Sequence, residues 1–174
     1  MTLATTDDAP PYREITCYFD GSCLLTTGAP PGSLHPGGYA AILVNDLKGS
    51  RRTLKGPVPD TTNNRAELTA AIEALDHIRP GAIVSMIGDS QYVINGMTVW
   101  RFGWQRNGWR GSDKAPVKNR DLWLQLIELA KKPAKLEWVW TKGHAGNPLN
   151  EEADRLAKAE AEKLKASLTR QSRS

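Results

Sequence analysis

The sequence predicts an α/β domain: a five-stranded mixed sheet, in which an antiparallel meander is extended by parallel strands, flanked by helices. Two patterns and one size argument predict it. Three alternating or apolar runs come first, separated only by loops and turns, and helix-length amphipathic segments then precede each later strand. The chain has 174 residues and an apolar share of 40%, which suits one domain around one core and excludes a disordered polymer.

Taken in order, residues 1–12 are polar and Pro-containing and read as a flexible N-terminal tail, residues 13–166 as the domain, and residues 167–174 as a polar, basic, flexible C-terminal tail. Ile15 to Asp20 alternates, with Ile15, Cys17 and Phe19 on one face and Thr16, Tyr18 and Asp20 on the other; that strand delivers Asp20 to its C-terminal end. Gly28 to Gly38 is dense in Pro and Gly and predicts a loop. Tyr39 to Val44 and Arg51 to Lys55 predict two further strands around a polar turn. Thr62 or Asn63 can cap a helix that runs to about Ile78 and stops before Pro80-Gly81. Its apolar stripe is Leu68, Ile72, Leu75 and Ile78, while Glu67 shares a side with the small residues Ala70, Ala71 and Ala74. Ala82 to Ile87 is an apolar strand ending at Gly88-Asp89, and Ser90 can cap the helix that follows. Asp121 to Lys131 predicts a helix, Leu136 to Thr141 a last strand, and Pro148 to Asn150 the start of a final amphipathic helix.

A net charge of +4 and a pI near 9.1 suit an anionic partner. Cys17 and Cys23 lack metal-binding spacing, and the expectation is two free thiols in a reducing compartment rather than a disulfide. No basic-apolar leader and no membrane-length apolar run is present. The expectation is a cytoplasmic monomer with no membrane association and no obligate protein partner.

Four acids carry the chemistry: Asp20 in Tyr18-Phe19-Asp20-Gly21-Ser22, Glu67 in Thr61-Thr62-Asn63-Asn64-Arg65-Ala66-Glu67, Asp89 in Gly88-Asp89-Ser90, and Asp154 in Asn150-Glu151-Glu152-Ala153-Asp154. One Asp before Gly or Ser is usually a turn former or a cap. Four acids delivered to strand ends and helix starts along one sheet edge are a different matter. Converging carboxylates repel and lose solvation, so a fold keeps them around cations. Oxygen donors without a thiolate or paired-histidine signature select Mg²⁺ or Mn²⁺, and two such ions about 3.5–4 Å apart are suited to phosphodiester hydrolysis.

Three further features bear on a nucleic-acid substrate. Thr62, Asn63, Asn64 and Gln91 offer hydroxyl and amide groups able to meet a 2′-hydroxyl, although helix capping accounts for the asparagines about as well. Trp100, Trp104 and Trp109 are interleaved with Arg101, Arg106, Arg110, Lys114, Lys118 and Arg120. The tryptophan spacing alone favours core packing; the charge tips the segment towards gripping phosphates and sugars. His144 lies in a glycine-flanked loop before the last helix.

These phrases, with Lys118-Asn119-Arg120-Asp121-Leu122-Trp123 and Trp140-Thr141-Lys142-Gly143-His144-Ala145-Gly146-Asn147-Pro148, closely resemble the type 1 ribonuclease H family from Ile15 to Lys163. The resemblance implies the ribonuclease H-like fold and endonucleolytic cleavage of the RNA strand of RNA/DNA hybrids, leaving 5′-phosphate and 3′-hydroxyl ends. It implies two Mg²⁺ ions, replaceable by Mn²⁺, with Asp20 bridging both, Asp154 completing the nucleophile side, and Glu67 and Asp89 holding the other. It makes His144 an auxiliary in proton transfer or product release. It assigns Asn63, Asn64 and Gln91 to the RNA minor groove, and the segment of Trp100, Trp104, Arg106 and Trp109 to the DNA strand. Three departures stand out: a Leu24–Pro36 segment longer than usual, Asp60 where some members place an Arg, and Gly103 in place of a frequent Asn of the DNA-phosphate pocket. Two rival readings are a catalytically weak hybrid-binding module and a DNA nuclease on the same fold.

Overall fold

A computed structural model describes residues 14–143 and 146–174; the N-terminal tail and His144 lie outside the described residues. Strands β1 (Glu14–Cys23), β2 (His35–Asn45) and β3 (Arg51–Thr61) form the antiparallel meander. Helix α1 (Asn63–Asp76) crosses to β4 (Ile83–Gly88), which runs parallel to β1. A helical run follows, made of α2 (Gln91–Asn95), a π turn (Gly96–Trp100) and α3 (Arg101–Arg106). Then come α4 (Arg120–Leu129), β5 (Lys135–Trp140), parallel to β4, and α5 (Pro148–Gln171). The sheet order is β3-β2-β1-β4-β5, the five-stranded mixed sheet that the sequence predicts.

Two element bounds differ from the sequence prediction in ways that matter. The predicted loop ends early, because β2 begins at His35 and Gly37 and Gly38 pair with Cys23 and Ser22 on one side and with Val58 and Pro57 on the other. Neighbours on both sides override the poor strand preference of glycine. Gly38 also lets α5 lie close: a Cβ there would sit 2.3 Å from the Ala157 carbonyl oxygen. At the other end of the chain, α5 continues to Gln171, through residues that the sequence assigns to a tail. Lys165, Ala166, Leu168 and Arg170 are good helix formers, and Arg170 in the last turn suits the helix dipole. No described helix is long and apolar enough to cross a membrane.

The sheet has two differently covered faces. Cys17, Phe19, Ala41 and Leu43 meet Leu68, Ile72 and Leu75 of α1 and Trp123 and Leu126 of α4 in the main core. On the opposite face, Ala40 and Ile42 meet Ala153 and Ala157 of α5. Alternation along β1 therefore points Asp20 towards α5 and Gly21 towards α1. Cys17 and Cys23 are free; the Cys23 thiol donates to the Thr61 carbonyl, and burial pushes the Cys17 thiol up.

Candidate active site

Asp20 stands within β1 rather than at its end. The parallel ladder between β1 and β4 stops at Tyr18 and Ile87, while β1 continues beside β2 as far as Cys23. Asp20 thus lies just past the last residue that β4 covers, next to the point where the chain leaves β4 as Gly88-Asp89. A crevice opens there because one neighbour ends and the other does not.

Gly21 brings the second acid in. A Cβ on it would lie 2.2 Å from the Ala66 carbonyl carbon and 2.3 Å from the Glu67 nitrogen, so only glycine lets the α1 backbone touch β1. Its N–H donates to Asp20 Oδ1 at 2.9 Å and to Glu67 Oε2 at 3.1 Å. Asp89 follows β4; its backbone carbonyl accepts from the Trp140 indole at 3.1 Å, and Gly143 passes close enough that a Cβ would be 2.9 Å from Asp89 Oδ2. Asp20, Glu67 and Asp89 each offer an oxygen within 4.8 Å of the others. Asp154, from the second turn of α5, stands outside this converged trio; its charge acts on Asp20, and its carboxylate accepts from Lys158 Nζ at 2.9 Å. Asp20 is the group on which all three other carboxylates act.

Burial pushes the Asp20 carboxyl up to about 8; Asp89 and Asp154 add to the rise, and the Glu67 hydrogen bond opposes it. Glu67 is driven well above the usual carboxylate range, first by burial, then by the charge and hydrogen bond of Asp20 and by Asp89, with the Gly21 N–H pulling the other way. Both carboxyl groups are thus driven towards their neutral forms, a cost that a hard cation between them would relieve. The donor set fits such a cation: oxygens alone, three of them already converged. Lys158 goes unnoticed in the sequence. It is the i+4 partner of Asp154 on α5, and its ammonium is raised by the Asp154 hydrogen bond and charge and also by Asp20 and Asp89. Helical spacing from Asp154 is the signal that could have found it.

Around this centre the other predicted residues divide. Thr62 is the cap of α1, its Oγ1 accepting from the Arg65 N–H at 3.3 Å, so Asn63 and Asn64 are relieved of capping and stand exposed on the first turn. Gln91 is exposed at the start of α2, two residues past Asp89. Arg65 is bidentate to Asp121 and donates to Asn119 Oδ1 at 3.2 Å. Asn119 has φ 61° and donates through Nδ2 to the Tyr92 hydroxyl at 3.0 Å. It is the amide held beside the start of α1, and the sequence gives it no prominence. Gly103, by contrast, has open space where a side chain would be.

The tryptophans separate by exposure. Trp100 is 40% exposed and stacks against Tyr92 and Trp104, with ring centroids 6.2 and 6.0 Å away. Trp104 is half-buried against Trp109 and Trp123. Trp109 is buried and so offers the least surface of the three tryptophans assigned to the DNA strand. The chain reverses through Gly108 and Trp109, both at positive φ, and folds that indole back onto α3, with Arg120 over its ring. Arg106 is exposed in the last turn of α3.

Comparison with known proteins agrees with this geometry. The RNase H family model matches residues 12–162. Ribonuclease H of Bradyrhizobium sp. (strain ORS 278) is 50% identical over 135 residues, 78% of this chain and 86% of that protein. The ribonuclease H of Dechloromonas aromatica (strain RCB) is 48% identical over 142 residues, 82% of this chain and 94% of that one. LC9-RNase H1, a type 1 RNase H with the type 2 active-site motif, superposes with a TM-score of 0.76 at 33% identity, over 88% of this chain and 74% of that chain. The foamy viral protease-reverse transcriptase in complex with RNA/DNA hybrid shares the fold at 19% identity, with a TM-score of 0.70 over 92% of this chain and 22% of that one. Sheet order and acidic notch together define a nuclease of the ribonuclease H-like class. The chain belongs to the RNase H family, in its type 1 form, and is a ribonuclease H; the family is divalent-metal dependent, and this chain has an acidic cluster that could hold such an ion.

Proposed function

We propose that this enzyme cuts the RNA strand of RNA/DNA hybrids endonucleolytically, leaving 5′-phosphate and 3′-hydroxyl ends, with two Mg²⁺ ions held by Asp20, Glu67, Asp89 and Asp154. The observation that carries the reading is the convergence of Asp20, Glu67 and Asp89 from three different elements, with the charge of Asp154 also felt at Asp20. Two divalent cations, when bound, neutralise phosphate charge and make hydroxide available near neutral pH. Asp20, Glu67 and Asp89 would hold a cation on one side of the notch, and Asp154, which accepts from Lys158, would join Asp20 in holding one on the other. Asn63, Asn64 and Gln91 read 2′-hydroxyls, which can both donate and accept. Trp100 and Arg106 lie against the DNA strand, and the hybrid-bound reverse transcriptase of the same fold supports that class of substrate. His144 moves a proton or speeds product release.

Matched, end-labelled RNA/DNA, RNA/RNA and DNA/DNA duplexes incubated with Mg²⁺ test the reading. Cleavage of the RNA strand of the hybrid alone is the expected result. DNA cleavage, or salt-sensitive hybrid binding without any cleavage, would overturn it. His144→Ala should slow turnover by about ten- to a thousandfold while leaving metal affinity nearly intact; equal loss of both would remove the role given to it.

A further inference from the structure

Asp20 and Glu67 enter the notch from regular elements, β1 and α1, but Asp89 does not. It lies in the two-residue connection between β4 and α2. Part of what holds it comes from β5, the edge strand of the sheet. Trp140, the last residue of β5, pairs with Gly88, the last residue of β4, and the Thr141 N–H donates to the Gly88 carbonyl at 2.9 Å. The next carbonyl, that of Asp89, accepts from a side chain instead: the Trp140 indole N–H donates to it at 3.1 Å. Beyond Asp89, Ser90 caps α2, its Oγ accepting from the Val93 N–H at 3.2 Å.

Burial does not account for a tryptophan at this position. Alternation puts Leu136, Trp138 and Trp140 on one face of β5. Leu136 and Trp138 pack against the main core, with Trp138 edge-on to Phe19 at 6.1 Å, whereas Trp140 is 45% exposed. An indole carries one polar group, a donor N–H. Here that donor goes to the backbone of an acid whose carbonyl lies past the end of the ladder. The chain leaving β5 adds a second constraint, because Gly143 passes so near Asp89 Oδ2 that only a residue without a side chain fits. The end of β5 and the turn behind it therefore bracket Asp89, one by its carbonyl and the other by its carboxylate.

We propose that Trp140 is a positioning residue: its indole N–H fixes the backbone of Asp89, and with it the direction from which that carboxylate meets a divalent cation shared with Asp20 and Glu67. The inference rests on the metal-holding part of the function proposed above. A ligand that is already held need not be ordered when the ion binds, so the group that holds it contributes to metal affinity. In this role the indole acts through Asp89 and not on the substrate.

The test uses Trp140→Phe, which keeps an aromatic ring and removes the donor. Calorimetric titration of the protein with Mg²⁺, without nucleic acid, should show a Kd raised by about three- to tenfold, the worth of one hydrogen bond. The Mg²⁺ concentration for half-maximal hybrid cleavage should rise by a similar factor, while KM for the hybrid at saturating Mg²⁺ stays within about twofold of wild type. In the wild type, the indole N–H resonance of Trp140, assigned by triple-resonance spectroscopy, should move on adding Mg²⁺ with the Kd found by calorimetry. An unchanged Mg²⁺ affinity with a lowered melting temperature would make Trp140 merely structural and overturn the proposal. An unchanged Mg²⁺ affinity with a raised KM would make it a substrate contact and overturn it equally. Should the variant fail to fold, the wild-type resonance decides: one that stays still at saturating Mg²⁺ overturns the role. If the wild type binds Mg²⁺ but cleaves no hybrid, the hybrid-cleaving reading falls and the Mg²⁺ affinities alone judge Trp140. If it binds no Mg²⁺, both fall.

Discussion

The carboxylate notch and the helical run from Gln91 towards Arg120 both present groups suited to a nucleic acid, yet they are built by opposite means. In the notch, position comes from backbone. A strand outlasts its neighbour, a glycine lets helix touch strand, and one N–H holds two carboxylates. In the helical run, position comes from side chains stacked on each other: Tyr92, Trp100, Trp104, Trp109 and Trp123 form one aromatic cluster in which only Trp100 shows much of its ring. On the proposed function the notch separates chemistry from stability, because its acids cost stability and serve the reaction alone. The aromatic cluster merges the two, since the buried rings of the core support Trp100, the ring proposed to meet the substrate.

The sharpest way to break this contrast is to remove charge at the centre of the notch. Asp20→Asn should reduce hydrolysis of the hybrid's RNA strand by on the order of a thousandfold or more while the metal-free protein melts at the same temperature or higher. A marked fall in melting temperature would mean that Asp20 supports the fold, and the separation would collapse. On the aromatic side, Trp109→Ala should cost about 3–5 kcal/mol of stability in denaturant titration, as expected for a buried indole. Trp100→Ala should cost little stability but weaken hybrid binding by about 1–3 kcal/mol. Identical behaviour of the two variants would erase the distinction drawn from exposure.

A smaller effect, read with pH, sharpens the same point. Burial raises Asp20 to about 8 and Glu67 well above its usual range, whereas in the unfolded chain both ionise near pH 4. Between those limits the folded metal-free protein holds protons that the unfolded chain has released, so its stability falls as pH rises from about 4 to 8. Mg²⁺ binds the ionised form, and the gain in melting temperature on adding it should grow over the same window. Melts at pH 5, 6.5 and 8, with chelator and with Mg²⁺, check both slopes; flat curves would mean that the carboxylates are not coupled to folding. The smallest change belongs to Asp60→Arg. Asp60 occupies a bulge at φ 49° near the edge of β3. A basic group there should lower KM for the hybrid by a few fold, more at low salt than at moderate salt. No change at either salt would detach Asp60 from the DNA strand.

The same contrast explains what could be read from the sequence. Asp20, Glu67 and Asp89 are legible because each is tied to a local phrase that also sets its element: alternation into Asp20-Gly21, the cap at Thr62 ahead of Glu67, and the strand end at Gly88-Asp89. Five strands in a mixed sheet follow from the same local patterns. The start of β2 at His35 is not legible, since the pairing of Gly37 and Gly38 depends on neighbours 14 or more residues away on each side. The burial of Trp109 is not legible, because spacing and charge cannot say which rings turn inward when a chain reverses at positive φ. Asn119 stays hidden because its value comes from Arg65 and Tyr92, both more than 25 residues away.

The contact at Gly21 has one more consequence. Since α1 rests there on bare backbone of β1, the spacing between Asp20 and Glu67 has no adjustable joint: no rotamer can absorb a shift of helix against strand. The acid pair is therefore as durable as the domain itself and has no weaker stage at which to fail first. On heating or in denaturant, hydrolysis should persist until the whole domain gives way, and residual activity would then serve as a gauge of the folded fraction.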